Sequence, residues 1–133
     1  MAQFWIHFLL IIGYIEGGPA TNPLQIEPIA LRDVNEAHST GWEMSDLKSV
    51  QVSRWVALRY AQLQVKRFYN REDRDPSVEE IFRMYNGGPI GYKKPETIAY
   101  WRKVEKLMVG RPDDFFRPVA MFIIIGDEET RQY

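Results

Sequence analysis

The chain has 133 residues, of which 45% are hydrophobic, 26% charged and 14% aromatic, and its formal net charge is −1. That length suits one domain with a real core, and the balance of residue types is that of a soluble globular protein. The near-zero charge leaves no electrostatic footprint for nucleic acid, and the lack of cysteine excludes disulfides, thiolate metal sites and cysteine nucleophiles.

The pattern of apolar residues predicts a mainly α fold, taken here in chain order. Gln3–Ile15 reads as a first, buried helix. Its apolar run is too short to span a bilayer comfortably, so no stable transmembrane span is expected. No basic residue precedes it and no small-residue cleavage site follows, so it makes a poor signal peptide. Gly17, Gly18 and Pro19 end it. Pro28 opens a second helix, PIALRDVNEAH, with Ile26, Ile29, Ala30 and Val34 on one face. A long third helix is expected from about Asp46 to Tyr69, carrying Val52, Trp55, Val56, Tyr60 and Leu63 at helical spacing. A fourth starts at Asp75-Pro76, or at Ser77 with Glu80 as a capping box. Its buried stripe is Val78, Ile81, Phe82 and Tyr85. Pro95 opens a fifth, with Ile98, Trp101, Val104 and Met108 on one side. Residues 1–110 are expected to form one domain and 111–133 an extension packed on it. In that tail, VAMFIII at 119–125 suits a short strand, a helical turn on the core or an oligomer contact, and periodicity does not choose.

Few residues are placed for chemistry. There are two histidines, His7 and His38, and no nucleophile elbow, zinc-binding helix or phosphate loop. No spaced carboxylate set suggests a metal, and no cofactor is expected. Glu16 is the exception, because it ends an apolar helix just before two glycines. A carboxyl in apolar surroundings resists ionising, which suits a general acid. A solvated helix-end glutamate is the plainer reading.

The turn YNGGPIGYKK also asks for an explanation. Asn86 can donate and accept together. Gly87 and Gly88 expose backbone, and Pro89 stiffens the turn. Tyr85, Tyr92, Tyr100 and Trp101 offer flat faces to a sugar ring. A stiff connection between helices, with the rings in the core, explains the same residues.

Three blocks, IEGG at 15–18, PLQIEPIALRDVNEA at 23–37 and YNGGPIGYKKPETIAYWRKV at 85–104, occur in this order in lysozyme-like lytic transglycosylases. Over about residues 8–108 the chain resembles the small, single-domain bacterial and prophage members of that family, the SLT type. The NGGP block is also similar to that of invertebrate-type lysozymes. The resemblance implies a lysozyme-like helical domain of about five helices, with a groove for the glycan strands of peptidoglycan. Glu16 matches the catalytic glutamate. Gln25, Tyr85, Asn86, Gly87 and Tyr100 match groove residues; Gly88 and Tyr92 join them from the reading of the turn. By this resemblance Glu16 protonates the oxygen joining N-acetylmuramic acid to N-acetylglucosamine. The muramic acid's C6 hydroxyl then attacks to give a 1,6-anhydro end, whereas in a lysozyme water attacks and a second carboxylate helps. A monomer acting at the bacterial cell wall or periplasm is implied, exported by a phage lysis system or by an uncleaved N-terminal signal.

The chain departs from the family pattern at three places. Gly17 stands where Ser is usual, Asn22 replaces the motif glycine, and Glu16 and Gln25 are only nine positions apart. The short segment is expected to leave the acid more open and to remove the usual site of a second carboxylate. Nothing in the sequence brings Glu27 or Asp33 to Glu16. The alternative is therefore a lysozyme-like domain that binds glycan and cuts weakly or not at all. A membrane-associated interaction protein built on the two apolar ends is a third reading.

Overall fold

The computed structural model describes residues 2–108, and the expectations for 111–133 lie outside the described residues. Five α-helices account for the architecture: α1 Ala2–Glu16, α2 Pro28–His38, α3 Val50–Glu72, α4 Val78–Gly87 and α5 Ile98–Met108. No strand occurs among the described residues. The mainly α expectation therefore holds.

α3 is the central helix, packed against α1, α2 and α4, and α5 closes the bundle against α1 and α4. Val56, Ala57, Ala61, Val65 and Phe68 of α3 are buried. α1 contributes Phe4, Trp5, Phe8 and Ile12. The Phe8 ring lies 5.0 Å from Phe82 and meets Tyr85 edge-on at 5.4 Å. Burying a phenylalanine of this kind stabilises the fold by roughly 2–3 kcal/mol.

The expectation of a buried α1 holds along one face only. Its sequence is apolar on every side, but only one stripe faces the core, and Ile6, Leu10 and Tyr14 are exposed. No described helix is long and apolar enough to cross a membrane. The start of α3 is also later than its apolar spacing suggests. Met44–Lys48 is a separate 3-10 turn, capped by the reciprocal Glu43 and Asp46 pair. Ser49 then caps a fresh helix by accepting the Val52 N–H at 3.3 Å.

α4 begins with the Ser77–Glu80 capping box rather than at Asp75-Pro76. Burial opposes charge on Glu80, but the two-pronged Arg74 bond and Ser77 outweigh it and hold its carboxyl below the ordinary value. Pro95 opens a short 3-10 turn, Pro95–Thr97, rather than α5 itself. The buried face of α5 is Tyr100, Val104 and Met108, whereas Ile98 is exposed. The expected stripe was rotated by two positions at its start.

Candidate active site

Two chain segments bring the predicted residues together. The first runs from Glu16, the last residue of α1, to Glu27 just before α2. Gly17 takes φ +46°, a left-handed turn that ends α1. The chain then folds back so closely that a Cβ on Gly18 would lie 2.4 Å from the Asn22 carbonyl oxygen. Asn22 closes the segment with its side chain, accepting the Ile26 N–H at 3.0 Å and donating to the Ile26 carbonyl at 2.9 Å. Gln25 sits at φ +50°, uncommon for a residue with a side chain. Its amide donates to the main-chain carbonyl of Glu16. Gln25 thus meets one of the carbonyls left unpaired at the end of α1.

The second segment is the end of α4 and the turns after it. Tyr85, Asn86 and Gly87 form the last turn of α4, and Gly88 leaves it at φ +87°. The glycines of this turn do different things. A Cβ on Gly88 would meet nothing, so its backbone is open. A Cβ on Gly87 would lie 2.5 Å from a methyl of Thr97, and one on Gly91 2.2 Å from the Arg83 carbonyl oxygen. Those two glycines permit close packing of the turn on α4. Lys94 donates to the Gly87 carbonyl at 2.8 Å, and Arg71 to the Pro89 carbonyl at 2.6 Å.

Between the segments lies a cavity of about 580 Å³. Glu16, Gln25, Tyr85, Asn86, Gly87 and Gly88 all line it. Burial pushes the Glu16 carboxyl above its ordinary value, and the negative charge of Glu27 adds to the rise. The Tyr100 hydroxyl and the Lys103 ammonium pull it partly back. Burial, followed by the Glu16 charge, raises the Tyr85 phenol as well. The site therefore holds a half-buried carboxyl that keeps its proton to higher pH than a solvated one. Beside it are amide groups, open backbone and an aromatic ring.

The two remaining predicted residues do not line this cavity. Tyr100 is buried, and its phenol is pushed up by burial first and by the neighbouring Glu16 charge second. It stands against the acid rather than in the groove. Tyr92 donates to Glu72 Oε1 at 2.7 Å and packs edge-on against Phe68 at 4.9 Å. It ties the turn to α3.

Other residues reach the cavity that the sequence reading had placed elsewhere or left unplaced. Glu27 and Asp33 both line it, as do Ile29, Tyr60 and Lys94. Ile29, expected in the core, is exposed at the cavity edge. A signal for Glu27 did exist: it lies two residues after Gln25 and directly before Pro28, where a helix must start. No protein-family model, curated protein or solved structure matches the chain.

Proposed function

We propose that this protein is a peptidoglycan-cleaving glycosidase of the lytic transglycosylase type, with Glu16 as its general acid. The observation that carries the reading is a protonation-prone glutamate at a helix end, facing a glycine-opened turn across one cavity. Glu16 donates its proton to the glycosidic oxygen as the bond between N-acetylmuramic acid and N-acetylglucosamine breaks. The muramic acid's C6 hydroxyl attacks C1 and returns a proton to Glu16, leaving a 1,6-anhydro end. Asn86 and the open backbone at Gly88 offer hydrogen bonds to the sugar's amide and hydroxyls, and Tyr85 offers an apolar face. In this reading the lysozyme-like resemblance of the three sequence blocks supplies the substrate class. The cavity supplies a setting for the acid.

The test is digestion of purified peptidoglycan by the wild type and by Glu16→Gln, with the soluble fragments weighed by mass spectrometry. Anhydro-ended fragments from the wild type alone are expected. Reducing-end fragments would make the enzyme a hydrolase. Retained wall binding without fragments from either protein would leave a glycan-binding domain.

A further inference from the structure

Three carboxylates line the cavity, and their surroundings set them apart. Glu16 is half-buried, and burial raises its carboxyl above the ordinary value. Asp33 is paired with Arg67, Oδ2 lying 3.2 Å from Nη1, so a cation meets its charge. Glu27 is exposed and sits at the N-cap of α2, yet its side chain makes no capping bond. Pro28, next in the chain, has no N–H to offer it. Glu27 lines the cavity, and among the described residues no side chain pairs with its carboxylate.

That charge already reaches Glu16, where it favours the protonated carboxyl. A general acid must come within hydrogen-bond reach of the oxygen it protonates, roughly 3 Å. The anomeric carbon, bonded to that oxygen, then lies only about 1.5 Å further along the substrate. A negative charge felt at Glu16 is therefore felt at C1, where positive charge develops as the bond breaks. One field has two effects of use to the reaction. It keeps the proton on the acid beforehand and stabilises the cation afterwards.

We infer that Glu27 is the second carboxylate of the reaction, a fixed negative charge that stabilises the oxocarbenium-like sugar whichever hydroxyl then attacks C1. Glu27 takes up no proton. Glu16 gives its proton to the leaving oxygen, which keeps the electron pair of the broken bond. The attacking oxygen forms the new bond to C1 and releases its proton to Glu16. The inference rests on the glycosidase reading above and extends it to a residue outside the resemblance.

The experiment measures kcat and KM against pH on soluble peptidoglycan glycan strands. It compares the wild type, Glu27→Gln, Glu27→Asp and, on α2 outside the cavity, Glu36→Gln. Circular dichroism of each variant checks folding. For Glu27→Gln, kcat is expected to fall about tenfold to a hundredfold with KM little changed. Its alkaline limb should move slightly to lower pH, since Glu16, raised chiefly by burial, loses the smaller contribution of the Glu27 charge. Tyr100 and Lys103 on α5 still act on the acid in every variant, and Tyr85 on α4, Tyr60 on α3, Asp33 on α2 and Lys94 in the turn still line the cavity. Glu27→Asp should recover part of kcat, and Glu36→Gln should match the wild type. An active wild type with unchanged kcat and unchanged alkaline limb in Glu27→Gln would overturn the inference and leave the glycosidase reading standing. A wild type that releases no fragments would overturn both.

Discussion

The wall of the cavity formed by residues 85–97 is bolted to the core, whereas the wall formed by residues 17–27 is closed mainly on itself. In the first, Arg83 donates to Thr97 Oγ1 at 2.8 Å and to the Lys94 carbonyl at 3.0 Å. Thr97 is itself buried and passes a bond to the Gly91 carbonyl at 2.7 Å. Tyr92 and Arg71 add ties to and from α3. In the second, most hydrogen bonds run within the segment or back to the end of α1: Gly18 N–H to Pro23, Asn22 N–H to Pro19, the Asn22 side chain to Ile26, Gln25 to Glu16 and Gly17 N–H to Gly13. Its anchors to the core are the apolar side chains of Leu24 and Ile26. The wall at 85–97 is thus held by many long-range contacts. The wall at 17–27 is held mainly by local ones, so single changes there act more directly on the neighbouring Glu16.

The largest effect on the bolted wall should come from Gly91→Ala. The added methyl collides with main chain rather than with a movable side chain. A cost of about 1–3 kcal/mol is expected, read as a lower urea midpoint with an unchanged slope. An unchanged midpoint would mean that the turn can lift off α4 freely. On the self-closed wall, Asn22→Ala removes two bonds to Ile26 and leaves both backbone groups to find water. That should cost about 1–2 kcal/mol. Cleavage should suffer more than stability, because the same segment sets where Glu16 points. Equal losses in both would make Asn22 a stability residue only.

The smallest effect is the most specific to the acid. Glu16 titrates above the ordinary value of 4.5 chiefly because burial disfavours its charge. The folded state then holds a proton that the unfolded state has released. Stability is fullest at low pH and falls as pH rises through the folded value. Glu16→Gln removes this titration. It should melt above the wild type at neutral pH, with the gap narrowing as pH falls through the raised folded value towards 4.5 and levelling off below it. A gap that stays constant with pH would show that Glu16 is not held in its protonated form by the fold.

The helices were legible because their ends carry local chemistry. Pro28, the Ser77–Glu80 box and Gly17 each state a boundary in the sequence itself. The late start of α3 was missed although Ser49 is an ordinary N-cap, because the apolar spacing runs on past it in both directions. Most of the cavity was also readable, since Glu16, Gln25 and 85–88 sit at helix ends or in turns. The roles of the glycines and tyrosines were not. Whether Gly88 or Gly91 is open depends on what lies opposite, and only packing decides that. Tyr92 and Tyr100 share the spacing of groove residues, yet one bonds Glu72 and the other is buried against the acid. Ile29 looked like core because a helix face one residue wide of the buried stripe has the same composition as the stripe.

Asn22 bonds both the N–H and the carbonyl of Ile26, which is the pattern one strand residue presents to its neighbour in a ladder. A single side-chain amide stands in for the partner strand. The segment gains the pairing of a hairpin without the second strand, and so without a hairpin's outer edge of unpaired backbone. Such an edge is a template on which another chain can extend a sheet. The segment between α1 and α2 is thereby kept short and without such an edge.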